Sequence, residues 1–395
     1  MNGAVVTTQV PARVSGLTLS KVETIPWYLW ACLAGSMSII TGVFWDISWH
    51  ETIGRDTFWT PAHLLIQFAA VLAAAYSSYL IFSTTFGSNA AAKEASVKVL
   101  GFRGPLGAFI CAWGGGAMLT SAPFDDWWHN AYGLDVKIIS PPHALLALGI
   151  AGIMWGSVIL ILGHMNRAEG ALRAHLEWML LLTGGAIVVQ DMVFKLEYNF
   201  RSRMHTSAFY LAIAIGLPLL LEGIARATDR RWARTIMTGF YSVFALLTLW
   251  VLPLFPAEPK LGPVYRQITH MVPLAFPILI MVPALVLDLL SPRLKSWTKW
   301  QQALLGGIVF VGVLIAVQWP FANFLIYSPT SQNWVFGTHY FPYFFSSDQV
   351  LERSRFVDWE TTGQFWIGMG LAVFAAVLSA RIGITWGNWM RRVRR

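Results

Sequence analysis

The stretch DISWHETIGRDTFWTPAH, from Asp46 to His63, returns about 80 residues later as DDWWHNAYGLDVKIISPPH, from Asp125 to His143. Each stretch lies where one long apolar run ends and the next begins. Runs near 25–45 and 58–83 flank the first, and runs near 105–122 and 141–164 flank the second. Aligned on the histidines, Asp46, Trp49, His50, Gly54 and Asp56 coincide with Asp125, Trp128, His129, Gly133 and Asp135. Each copy then closes on a proline followed shortly by a histidine, Pro61 to His63 and Pro142 to His143. The spacings, Asp-x3-His-x12-His and Asp-x3-His-x13-His, differ by one residue. Repetition of this kind at one period reads as an internally duplicated helical hairpin.

Further apolar runs near 174–194, 207–225, 235–255, 268–290, 300–326 and 363–386 continue the series to ten. A helix needs about 20 apolar residues to cross a hydrocarbon layer of roughly 30 Å. The pattern therefore predicts an all-α fold, a polytopic transmembrane helical bundle of about ten helices built from repeated hairpins. The runs at 105–122 and 207–225 are short enough to be tilted or partly re-entrant. Strands are not expected, because a membrane barrel would alternate in segments of about ten residues. Composition agrees: 56% of the 395 residues are hydrophobic, 12% are charged, and mean hydropathy is +0.55. Lipid is thus the expected main solvent and first partner. Cys32 and Cys111 both fall inside apolar runs, which excludes a disulfide framework and a thiolate metal cluster.

A net charge of +8 invites a nucleic-acid reading, but the basic residues are scattered over loops and tail instead of forming one face. No nucleic-acid partner is expected. The charges report topology instead: the termini and the loops after even-numbered runs hold 19 of the 28 Lys and Arg residues. By the positive-inside rule, both termini are expected in the cytoplasm and both motif loops outside it, in a multi-pass protein of the cell inner membrane. The polar residues 1–24 form an N-terminal segment, with the first run retained as a helix. Residues 25–165 hold the duplicated hairpins, 166–326 further hairpins, 327–362 an aromatic-rich outward loop, and 363–395 the last helix with a basic tail. That loop carries Trp334, Phe336, Tyr340, Phe341, Tyr343, Phe344 and Phe345, with His339 among them. It reads as an interfacial aromatic cap, with a lid over a site as the sharper alternative.

The duplicated motif carries the chemistry. An Asp and a His four residues apart project from one face of a helix, so Asp46 with His50, and Asp125 with His129, can converge on a point. The third group, His63 or His143, arrives from the start of the next helix, where proline is tolerated. Three such ligands suit copper, zinc or iron and leave a coordination position open. A single Asp or His at a membrane interface is most often only capped or solvated; two complete copies are harder to explain that way. Asp56 and Asp135 lie off the histidine face and are expected to act as supporting acceptors or helix caps, and Arg55 and Lys137 can pair with them. Later hairpins carry weaker echoes. Asp191 and Lys195 read as an ion pair, while Glu197, His205 and His270 are candidates for the lining of a polar pathway.

The segment Asp46 to His63, with its Trp-His, Arg-Asp and Phe-x-x-Pro-x-His elements, resembles the copper-site segment in one membrane subunit of the copper membrane monooxygenases, the group of particulate methane and ammonia monooxygenases. The resemblance implies that Asp46, His50 and His63 bind copper. The second copy is similar to the neighbouring copper site of the same family subunit, with Asp125 standing where the family has Asn, beside His129 and His143. The likeness covers roughly residues 25–165. It implies separate monooxygenase-type partner subunits or a divergent relative that works alone, and a small apolar substrate with dioxygen.

The function expected on these grounds is a copper-dependent oxidoreductase, a monooxygenase or its component, oxidising a substrate of the hydrocarbon or ammonia class. Two other classes stay open: a metal or small-solute carrier without catalysis, against which no discontinuous midplane helix is obvious, and a haem-binding, quinone-linked anchor subunit.

Overall fold

The computed structural model describes residues 23–54, 59–133, 140–196, 203–260, 268–337 and 360–394. Among these the chain is an all-α polytopic bundle. Its helices are α1 (Trp27–Thr52), α2 (Pro61–Phe86), a short α3 (Ala90–Glu94), α4 (Leu106–Tyr132), α5 (Pro141–Met165), α6 (Gly170–Phe194), α7 (Ser207–Ala214), α8 (Leu217–Ala227), α9 (Ala233–Val251), α10 (Met281–Leu290), α11 (Lys299–Tyr327) and α12 (Thr362–Met390). Eight segments are long and apolar enough to cross a membrane: α1, α2, α5, α6, α7 with α8, α9, α11 and α12. Large apolar side chains such as Trp27, Phe68, Phe82, Trp366 and Phe374 lie at least half exposed on their outer faces, where a lipid bilayer supplies the contact that water would not.

The other two expected crossings differ in instructive ways. Helix α4 runs 27 residues, well beyond the apolar run at 105–122, and packs between α2 and α5. Its apolar signal stops early because Asp125, Asp126 and His129 occupy its last turns. The run at 268–290 does not form one helix. Residues 271–280 are non-helical, and only α10 completes the segment. Pro273 and Pro277 explain this, since proline removes a backbone donor and clashes with the preceding turn. Three buried or part-buried backbone donors of this stretch are met by side chains: Val272 N–H donates to Thr52 Oγ1 at 2.7 Å, Ile278 N–H to the Tyr241 hydroxyl at 3.1 Å, and Leu279 N–H to Gln318 Oε1 at 3.0 Å. Non-helical backbone inside a bundle is tolerated when it is buried in protein and hydrogen-bonded in this way.

The run at 207–225 is also broken. Helix α7 ends at Ala214 and α8 begins at Leu217, with Gly216 at φ +90°, a conformation that favours glycine, and Pro218 in the first turn of α8. The discontinuity is not obvious in the hydropathy of the run, although its shortness allows a partly re-entrant segment. One element lies outside the all-helical expectation: Val97–Val99 and Phe102–Gly104 form a two-stranded antiparallel hairpin between α3 and α4.

Close helix approach holds the second hairpin together. A Cβ at Gly114 of α4 would sit 2.7 Å from the Gly149 carbonyl of α5, and one at Gly107 would sit 2.5 Å from the Gly156 carbonyl. Small residues that let backbones touch are the usual glue of membrane helices, which gain little from apolar burial alone. One continuous apolar core runs through the bundle, from Leu29 and Phe44 of α1 to Ala372 and Ala376 of α12.

Candidate metal centre

The C-terminal ends of α1 and α4 and the N-terminal ends of α2 and α5 come to the same end of the bundle, because each hairpin packs antiparallel. The duplication seen in the sequence extends to the backbone. Both first helices stop before a glycine at φ +85°, Gly54 and Gly133. Both second helices begin with a hydroxyl cap: Thr60 Oγ1 accepts the His63 N–H at 3.1 Å, and Ser140 Oγ accepts the His143 N–H at 3.5 Å. Pro61 and Pro141 follow as the first helical residues, so the equivalent element is Thr/Ser-Pro-x-His, and the structure pairs Pro61 with Pro141 in place of Pro142. The residue that lengthens the second copy falls between Gly133 and Ser140. The caps are the residues that sequence reading missed, although a hydroxyl immediately before a helix-opening proline is a capping signal.

In the first copy His63 Nε2 lies 2.9 Å and His50 Nε2 3.5 Å from Asp46 Oδ1. One ligand atom from each of the three lies within 4.8 Å of the others. Ligands about 2.1 Å from a tetrahedral ion stand roughly 3.4 Å apart, so the arrangement fits a cation with small adjustments. Asp46 Oδ1 is buried and receives no hydrogen bond. The short distance from His63 is therefore not accompanied by an N–H directed at the oxygen. A buried carboxylate oxygen that faces two imidazole nitrogens and accepts no hydrogen bond is a group that a cation would satisfy. Asp46 and His63 are about one-fifth exposed and His50 just over a third, which leaves the group reachable from outside.

In the second copy both imidazoles again face one oxygen, with His129 Nε2 3.1 Å and His143 Nε2 3.6 Å from Asp125 Oδ1. Their other ring nitrogens are held. His129 Nδ1 lies 2.9 Å from the Gly133 carbonyl, to which only an N–H can donate, and His143 Nδ1 lies 3.0 Å from Ser140 Oγ. Fixing Nδ1 in this way orients the ring and turns Nε2 toward the shared point. Asp126 is not part of the group; it accepts from Asn130 Nδ2. Among the described residues, only the first triad gathers its three ligand atoms within 4.8 Å, so the second is the looser of the two. Phe124, Trp127, Trp128 and Tyr132 pack against one another beside it, with Trp128 and Tyr132 centroids 4.6 Å apart.

Asp56, Asp135, Glu197 and His339 lie outside the described residues. His205 and His270 belong to neither triad. His205 is buried, with Nε2 2.9 Å from Asn323 Oδ1, its ring edge against Trp319, and Nδ1 without a hydrogen bond. His270 is exposed, and its Nδ1 lies 2.9 Å from Thr269 Oγ1. Val272, two residues on, packs against Ser48 and Thr52, which lie on a different face of α1 from Asp46 and His50. Asp191 and Lys195 form the expected ion pair at 2.7 Å, and Lys195 Nζ also donates to the Ile215 carbonyl at the α7–α8 break.

No family model, curated protein or solved structure matches this chain. Fold and site therefore define the protein by class: a polytopic helical membrane protein with a His/carboxylate triad at one end of the bundle that could hold a metal ion.

Proposed function

We propose that the chain is a membrane-embedded copper protein, a component or divergent relative of a copper-dependent monooxygenase acting on a small substrate of the hydrocarbon or ammonia class. The observation that carries this reading is the buried, hydrogen-bond-free Asp46 Oδ1 between His50 and His63, in a motif that resembles the copper-site segment of the copper membrane monooxygenases. Asp46, His50 and His63 hold one ion; Asp125, His129 and His143 hold a second, more weakly. Copper held by these residues would supply a one-electron redox couple that can react with dioxygen. A monooxygenase inserts one oxygen atom into substrate and reduces the other to water, using two electrons and two protons from an external reductant, so a reductant or partner subunit is part of the proposal. The protein's own share is positioning. Thr60 and Ser140 fix the helix starts that carry His63 and His143, and Gly133 and Ser140 fix ring orientation at the second site. Neighbouring Trp and Phe side chains offer an apolar approach for substrate. The basic end of the bundle faces the cytoplasm and the triads face outward, in an inner membrane.

Zinc or iron in the same ligands is the nearest variant of this reading. Paramagnetic resonance of the copper-loaded protein tests it. Imidazole-nitrogen couplings that weaken in His50→Ala support it, and spectra unchanged in both His50→Ala and His129→Ala remove its basis.

One observation favours a second reading, a metal or small-solute carrier. The break between α7 and α8 begins after about two turns, about 12 Å from the start of α7, and carries a Lys195–Asp191 pair on its free carbonyl. Discontinuous helices with polar partners are the usual sites of such carriers. Copper uptake into sealed vesicles that proceeds without oxygen would select this reading. The haem reading fares worse, because it gives no role to the carboxylate that both imidazoles face.

A further inference from the structure

At the end of the bundle opposite the triads, the ends of α8, α9, α10, α11 and α12 enclose a cavity of about 670 Å³. Six cationic side chains and three carboxylates line it, a surplus of three positive charges. The surplus is unevenly distributed. Arg234 is fully committed: Nε and Nη2 donate to Glu222 at 2.8 and 2.7 Å, and Nη1 donates to Asp288 at 2.9 Å. Arg230 is held by Glu177 at 3.0 Å and Arg391 by Asp229 at 2.9 Å.

Three cations remain. Arg226 donates to the neutral amide oxygen of Gln302; its nearest carboxylate, Glu222, stands 4.0 Å away and already serves Arg234, and its buried Nε has no hydrogen bond. Arg231 lies over the Trp232 ring, 4.7 Å from its centroid, and is not ion-paired among the described residues. Lys295, across the cavity at the end of α10, is likewise not ion-paired among them. Two guanidinium groups and one ammonium facing a shared space, with one donor buried and unmet, form a receptor for a tetrahedral oxyanion. The cavity is several times larger than a lone phosphate, and Leu287 and Leu294 give it an apolar wall. Trp297 and Trp300, about half exposed at the start of α11, mark this level as interfacial.

We propose that this cavity binds a phosphate group, delivered by an anionic phospholipid headgroup lodged between the helix ends. Basic pockets between membrane helices bind such headgroups through the same chemistry. The site lies apart from both triads and does not depend on the metal reading.

The test is melting temperature and binding in neutral detergent, with three probes: phosphatidylglycerol, phosphatidylcholine and inorganic phosphate. Saturable stabilisation by phosphatidylglycerol but not phosphatidylcholine is expected. Saturation by inorganic phosphate alone would overturn the lipid source, leaving a soluble phosphate ligand. In R231Q/K295Q, which breaks no ion pair among the described residues, binding is expected to weaken about thirtyfold, because each cation near the surface contributes roughly fivefold. R226Q, made separately, should weaken it by about fivefold. Equal response to both lipids with none to phosphate, or undiminished binding in both folded variants, overturns the proposal.

Discussion

His63 Nε2, from the first turn of α2, lies 2.9 Å from Asp46 Oδ1 near the end of α1, yet that buried oxygen receives no hydrogen bond. Two helices bring these groups together at the cost of desolvating a carboxylate oxygen without a donor. An unmet buried acceptor costs about 1–3 kcal/mol, and more when charged. A cation between the three groups turns that cost into binding energy, so metal loading is expected to stabilise the folded protein. Melting temperature with and without copper checks this, and no shift on loading would count against it.

The two triads should differ in affinity. The first gathers its ligands more tightly than the second. Chelator titration of metal-loaded protein is expected to release ions in two phases. His143→Ala should remove the phase released first and His63→Ala the phase released last. A single phase abolished by either variant would mean that the sites are not independent.

The α4–α5 contact sets the second triad, since Asp125 and His129 ride on one helix and His143 on the other. Gly114→Ala puts a methyl 2.7 Å from the Gly149 carbonyl and must push the helices apart. Overpacking of this kind costs about 1–3 kcal/mol. Lower thermal stability together with loss of the weaker metal phase is expected. Gly116→Ala, where a Cβ meets nothing within 4 Å, serves as the neutral control.

At the basic end, Arg234→Met should be severe. It strands Glu222 and fully buried Asp288 without their shared cation, and breaking one partner of a buried ion pair costs about 3–5 kcal/mol. Asp288 retains the Thr235 N–H and hydroxyl, both at 2.8 Å, which limits the loss. Melting temperatures of Arg234→Met and Arg231→Gln, compared in one detergent, check this: a large drop in the first and almost none in the second.

His205 predicts a pH dependence. Burial, against the hydrogen bond to Asn323, holds its imidazole below the ordinary 6.5. The unfolded chain therefore takes up a proton just below pH 6.5 that the folded chain does not. Stability from neutral His205 is complete above 6.5 and declines as pH falls towards the folded value. His205→Asn is expected to flatten part of the fall in melting temperature between about pH 7 and pH 5. Equal slopes in both proteins would contradict it.

Much of this was legible in the residues. The Asp-x3-His pairs and the following histidines fall together because helical spacing leaves them little choice, and the apolar runs mark eight of the crossings. What was hidden depends on context. Hydropathy stops α4 at 122 because its last turns trade apolar residues for ligands. Pro273 and Pro277 were visible as breakers, but whether their stretch would survive inside a bundle depended on Thr52, Tyr241 and Gln318 meeting its backbone, and no local pattern encodes those long-range partners. The same holds for the α7–α8 break, where the carbonyl freed at Ile215 is met by Lys195 from another helix. His270 shows the reverse case: a residue type suited to the site, carried by a segment packed on another face of α1.

The most direct test is the copper content of the purified protein, wild type against His63→Ala, by elemental analysis after removal of loosely bound metal. Tightly held copper is expected in the wild type and loss of that fraction in the variant, with the fold intact by circular dichroism. Wild-type protein free of tightly held metal after copper loading, or equal content in a folded His63→Ala, would contradict it.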